Sequence, residues 1–377
     1  MAGNALLQPL QVGTIVLKNR IAMSAMTRNR APRGYPSNLM KEYYIQRSSA
    51  GLIVTEGLLI TRQGTDYPNA PGIWDEKHIA GWKDIVDAVH EAGSKIYAQL
   101  WHLGRLSHPE APEQKLAGVP VYGPSAIAAR GGKFRGLPGT PGFVKPSAIE
   151  DPWTIIAQYK QAAVNAQKAG FDGVELHAAN GYLVMQFLDN TSNQRTDKWG
   201  GSVENRCRFG LEVLNALIEV FGQDVGIKLS PAGGYNDVGM SLQDTLDTYS
   251  YFITEADKLN PGYIALVRYS LMTNERFDGV LRATGHDVFE SYPHLIKNAR
   301  VFLNSGISPE EGHQFVSEGK ADGVFFGFSW LTHPDLVGRI KRGHPLDNAL
   351  DFLRLIPEDG EQDWSKGYVD YPMYVQS

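Results

Sequence analysis

At 377 residues with a formal net charge of -5, the chain has room for one large α/β barrel or two medium domains, and no Lys/Arg block suits it to nucleic acid or anionic membranes. Its one cysteine, Cys207, excludes an internal disulfide framework or a multi-cysteine metal site and fits a reducing compartment. The first residues carry no signal-peptide pattern and no apolar run approaches a membrane span, so a cytoplasmic protein acting on small molecules, as monomer or homodimer, is expected.

In chain order, residues 5–18 are apolar around Gly13 and predict a hairpin that closes one end of the fold. Short apolar runs then predict strands at Ile21–Met23, Gly51–Leu59, Ile96–Trp101, Gly173–His177, Val225–Leu229, Tyr263–Val267, Val301–Asn304 and Gly323–Gly327, with helix-period segments between most of them. Asp75 or Glu76 opens a helix through Ala92, with Gly93 as its stop. Asp151-Pro152 starts another that ends before Gly170, and Ser241 caps a third. The segment 102–149, long and rich in Gly and Pro, predicts an excursion that folds over the fold's open end as a lid.

Eight strands apolar on both faces and joined by helical crossovers fit a (β/α)8 TIM barrel, with 1–377 as a single domain. An open Rossmann-like sheet would need a Gly-x-Gly-x-x-Gly between strand and helix. The stretch Gly131-Gly132-Lys133-Phe134-Arg135-Gly136 lies instead in a Pro/Gly-rich loop and reads as a flexible turn.

Barrel active sites form at the C-terminal ends of the strands, and here those ends are polar. They carry Ser24–Arg28, Thr55-Glu56-Gly57, Gln99–His102, Lys228, Asn304-Ser305-Gly306 and Gly327-Phe328. Past the fourth strand, His177 and Asn180 can aim N–H groups at one carbonyl oxygen, and Tyr182 adds a phenol able to donate a proton beside it. Gln99 and Lys228 suit an electron-rich heterocycle, and the glycines after the last two strands suit a phosphate. No metal is expected, because His102 and His108 share a loop without a carboxylate cluster.

The chain resembles the old yellow enzymes, flavin-dependent ene-reductases, over nearly its whole length. The likeness runs through Leu17–Ile21 with Thr27-Arg28, Ile53–Gly57, Tyr67–Trp74, Ala98–Arg105, the stretch from Gly173 to Arg208, Leu229-Ser230-Pro231, His333–Leu336 and Gly367–Pro372. It implies an FMN-containing barrel, NADPH as reductant, and an α,β-unsaturated carbonyl (enone or enal) or nitroalkene as substrate. By the same resemblance His177 and Asn180 bind the substrate's oxygen and Tyr182 protonates the α-carbon. Thr27 contacts the flavin ring edge, Gly57 leaves room beside the ring, Gln99 binds the pyrimidine side, and Trp101 shapes the substrate pocket. Lys228 stands where Arg is usual, and Ser305, Gly306 and Gly327 lie at the phosphate.

The chain departs from the family in that region. Phe328 replaces the usual phosphate-binding Arg, removing a charge-assisted contact of about 1.5–3 kcal/mol, or roughly ten- to a hundredfold in affinity. Arg268 and Arg282, after the sixth strand, read as solvated loop arginines, with a substitute phosphate partner as the alternative. A flavin-weakened or flavin-free relative that uses the same pocket for a non-redox isomerisation or cyclisation in secondary metabolism is the competing expectation.

Overall fold

The computed structural model describes residues 3–131, 142–357 and 362–374. Eight parallel strands close in sequence order into a barrel: β1 (Ile21–Met23), β2 (Leu52–Leu59), β3 (Lys95–Trp101), β4 (Gly173–Ala178), β5 (Val225–Leu229), β6 (Tyr263–Val267), β7 (Arg300–Asn304) and β8 (Gly323–Phe326). The last closes on the first, with Val324 opposite Ile21 and Phe326 opposite Met23. Every residue of β2, β4 and β5 is buried, as strands covered on both faces must be. Gly51 and Gly327, expected at strand ends, fall just outside the ladder, and Gly327 precedes the short helix Phe328–Thr332.

The helices that follow the strands are α1 (Asn38–Gln46), α2 (Glu76–Glu91), α3 (Pro152–Lys168), α4 (Val203–Phe221), α5 (Leu242–Lys258), α6 (Val288–Ser291), α7 (Pro309–Ser317) and α8 (Leu336–Arg342). Their starts follow local chemistry. Asp75 accepts the His78 N–H at 2.9 Å to cap α2, Asp151 precedes Pro152 at the head of α3, and the Ser241 hydroxyl accepts the Asp244 N–H to cap α5.

The strands Leu10–Val12 and Ile15–Leu17 form the expected antiparallel hairpin. Leu10, Val12 and Leu17 pack with the inward-facing Ala22, Leu52, Val54, Tyr97, Tyr263, Phe302 and Phe325. The N-terminal half of the barrel is therefore solid, which leaves the C-terminal end for a ligand. Asp224, just before β5, latches the hairpin by accepting the Thr14 N–H at 2.7 Å and the Thr14 hydroxyl at 2.5 Å. An Asp224→Ala protein is expected to lose about 1 kcal/mol, since the latch is partly exposed. Urea unfolding measures it, and an unchanged midpoint would mean that apolar contact alone seats the hairpin.

The described part of segment 102–149 is tied to loops that leave the C-terminal strand ends. Leu103 and His108 donate to the carbonyls of Gly64 and Thr65, and Arg105 reaches the Gln186 side chain with its N–H and the Asp237 carbonyl with its guanidinium. Residues 132–136 of the glycine-rich stretch lie outside the described residues. The loop after β6 holds a second hairpin, Arg276–Phe277 with Val280–Leu281, turned by Asp278 (φ 51°) and Gly279 (φ 79°).

Candidate active site

A cavity of about 860 Å³ opens at the C-terminal end of the barrel. Thr27, Gln99, Trp101, His177, Asn180, Tyr182 and Lys228 all line it, because each sits at or just past the end of a strand. Gly57, Ser305, Gly306 and Gly327 do not. At Gly57 the structure gives a reason of its own for the missing side chain. A Cβ there would lie 2.4 Å from Trp101 Cε3, so the missing side chain makes way for the indole. Ser305 and Gly306 follow β7 and Gly327 follows β8, immediately before Phe328, which does line the cavity.

His177, in β4, pairs in register with Lys228 of β5. Its Nδ1 faces the Ala179 N–H at 3.4 Å, which leaves Nε2 to carry the proton. Burial, and then the Lys228 charge, hold its pKa well below the ordinary histidine value, so the ring is a neutral donor. Asn180 adopts φ 57°, a left-handed conformation that asparagine tolerates. The Ser230 hydroxyl accepts its N–H at 2.8 Å and its carbonyl accepts from Asn236 Nδ2 at 2.8 Å, so the backbone is held on both sides. The Tyr182 ring stands edge-on to both Trp101 and His177, with centroids 4.9 Å away in each case.

On the neighbouring strands, Gln99 donates through Nε2 to Glu175 Oε1 at 2.7 Å, and Tyr263 donates to Glu175 Oε2 at 2.8 Å. Lys228 Nζ donates to the Ser24 hydroxyl at 3.0 Å. Burial pushes the Glu175 carboxyl up and the Lys228 ammonium down, and each opposes the other's shift through its charge. Glu175 therefore fixes the orientation of Gln99 and balances Lys228. Sequence reasoning missed it, although a lone carboxylate inside the apolar run Gly173-Val174-Glu175-Leu176 was the signal, since a buried charge requires partners.

The third wall is a C-terminal strap that supplies Phe352, Leu353, Leu355 and Ile356. Two buried arginines after β1 hold it. Arg28 donates to the carbonyls of Arg354, Leu355 and Gly367, and Arg30 to those of Arg354, Leu355, Trp364 and Lys366. Beneath them Glu56 accepts the Arg28 N–H at 3.2 Å, and burial raises its carboxyl to about 7. Phe328 stacks edge-on against Phe352 at 5.7 Å, both half exposed.

These residues fit a flavin at its ring end. Lys228 with its buried ammonium, Thr27 and Trp101, whose buried Nε1 has no partner among the described residues, line an aromatic-walled space of suitable size. In the loops after β7 and β8, the backbone N–H groups of Ser305, Gly306, Gly327 and Phe328 have no acceptor among the described residues, as donors to an anion would. The side chain at 328 supplies no charge there. Arg282 is not a solvated loop residue: it donates to Asp237 Oδ1 at 2.6 Å and is committed there. Arg268 pairs with Glu311 beside Gly306. Among the described residues no group of three His, Cys, Asp or Glu could hold a metal ion, and no helix is long and apolar enough to cross a membrane.

The profile of the NADH:flavin oxidoreductase / NADH oxidase family matches residues 5–347. A protein of Epichloe festucae var. lolii described as "Probable inactive reductase easA" is 38% identical over 384 residues, covering 99% of this chain and 96% of its own. A "Probable flavin mononucleotide-dependent alkene reductase" of Leishmania infantum is 36% identical over 379 residues, covering 98% of this chain and 97% of its own. Among solved structures, morphinone reductase in complex with tetrahydroNAD superposes with a TM-score of 0.84 at 35% identity, over 98% of both chains.

Proposed function

Because the chain belongs to the NADH:flavin oxidoreductase / NADH oxidase family, that of the old yellow enzymes, we propose that it is an NADPH-consuming ene-reductase of α,β-unsaturated carbonyls. The observation that carries this reading is the convergence of His177, Asn180 and Tyr182 on the cavity that Gln99 and Lys228 also line. FMN, when bound, supplies hydride taken from the nicotinamide and given to the β-carbon of the alkene.

The chain's own residues do the rest. His177 Nε2–H and the Asn180 amide donate to the substrate oxygen, holding the charge that develops as the double bond is polarised. Tyr182 gives its phenolic proton to the α-carbon, which completes a net addition of hydride and proton across the C=C bond. Lys228, with its buried ammonium, and Gln99, oriented by Glu175, would hold the flavin ring, the first by favouring negative charge and the second by hydrogen bonding. Trp101 and Tyr67, 5.5 Å apart, wall the substrate side and help to exclude water.

The test is the visible spectrum of the purified protein, titration with FMN, and NADPH oxidation with a cyclic enone. Flavin absorption and enone-dependent NADPH loss are expected. A second reading is favoured by Phe328 together with the likeness to a probable inactive reductase: the same donors polarise a carbonyl for isomerisation or cyclisation without net redox. Turnover by flavin-free protein that is lost in Tyr182→Phe, with no NADPH consumed, would establish that reading instead.

A further inference from the structure

We propose that Arg268 supplies the positive charge at the phosphate end of the cofactor site that Phe328 cannot. This rests on the reading that FMN binds with its phosphate at the loops after β7 and β8.

The position is set by the backbone. The Arg268 N–H donates to the Asn304 carbonyl at 2.9 Å, which staples the end of β6 to the last residue of β7, immediately before Ser305-Gly306. Its guanidinium then turns onto that same loop, with Nη1 3.3 Å from the Gly306 carbonyl. Ser305 (φ 82°) and Gly306 (φ 64°) both have left-handed backbone, and their N–H groups are among those without an acceptor. A run of such donors is a ready concavity for an anion, and a fixed cation at its edge is what that concavity otherwise lacks.

The side chain is also held in place. Glu311, in the first turn of α7, accepts from Nη2 at 2.5 Å and from Nη1 at 3.2 Å. The guanidinium carbon lies 4.7 Å from the Phe289 ring centroid and 5.8 Å from that of Phe315. One carboxylate and one carbonyl use three of the five N–H donors of the guanidinium, and about a third of the side chain remains open to solvent. Little rotamer freedom is left to lose when a dianion arrives. What sets Arg268 apart is its contact with the loop after β7: Arg28 and Arg30 bond the strap carbonyls, and Arg282 bonds Asp237, Thr191 and the Gly239 carbonyl.

The experiment compares FMN with riboflavin, which lacks the phosphate, by fluorescence quenching on apo-protein. Wild type should prefer FMN, and the preference should weaken with salt because the contact is partly exposed. Arg268→Met is expected to weaken FMN about ten- to a hundredfold, with riboflavin affinity unchanged. Arg268→Lys should keep part of the preference, which separates charge from the loss of packing on Phe289. Equal losses for both ligands in Arg268→Met, or an unchanged FMN preference, would overturn the proposal while leaving flavin binding intact. If wild type bound neither flavin, the functional reading itself would fall.

Discussion

Replacing Tyr182 by Phe is expected to slow the alkene half-reaction by about 10²–10⁴-fold, the usual reach of a positioned general acid, while leaving the half-reaction with NADPH within a few-fold of wild type. The substitution keeps the ring, and with it the edge-on contacts to Trp101 and His177 that set its angle. Only the hydroxyl goes. The cavity keeps its shape, so substrate affinity should change little and the deficit should fall on the step that consumes a proton. Stopped-flow measurement of the two half-reactions separates them. Equal slowing of both would remove Tyr182 as the proton donor and point to an altered pocket.

His177→Ala should cost about 10²–10³-fold in kcat/KM for the enone, the loss seen when one donor to a developing oxyanion is removed. His177 is buried, and burial together with Lys228 keeps its ring neutral at ordinary pH. It therefore donates without gaining or losing a proton, and the enone rate should show no histidine limb between about pH 6 and 8 in wild type or variant. His177→Asn, which keeps an N–H donor, should recover part of the loss. A wild-type limb near pH 6.5 that disappears in His177→Ala would mean that the imidazolium takes part after all.

Much of this architecture was legible in the sequence because barrel strands are short apolar runs cut off by polar residues. Val225–Leu229 and Tyr263–Val267 coincide with their predicted bounds for that reason. The cavity-lining set of Thr27, Gln99, His177 and Lys228 was legible because the topology sends every strand end to one face. Other features depend on partners far away in sequence. Nothing local to Arg28 or Arg30 says that their acceptors are main-chain carbonyls more than 320 residues on. Nothing local to Gly57 says that the indole which needs its missing side chain comes from Trp101 on the adjacent strand. The Asp278-Gly279 hairpin carried its own turn signal and was simply overlooked. Arg268 and Arg282 both read as solvated, although each ends in a specific ion pair.

The strap that Arg28 and Arg30 hold also orders events during synthesis. Arg30 leaves the ribosome 334 residues before Trp364, whose carbonyl it will bond. At about 5–20 residues per second, that is on the order of 20–70 s during which two guanidiniums destined for burial lack their strap carbonyls. Ile21 must likewise wait for Val324 before the barrel can close. The wall formed by Phe352 to Ile356 thus arrives after the catalytic strand ends are already made. Completion of the cofactor cavity belongs to the last stage of biogenesis, and a cut within the strap should be felt first as a leaking cofactor and only later as an unfolded barrel.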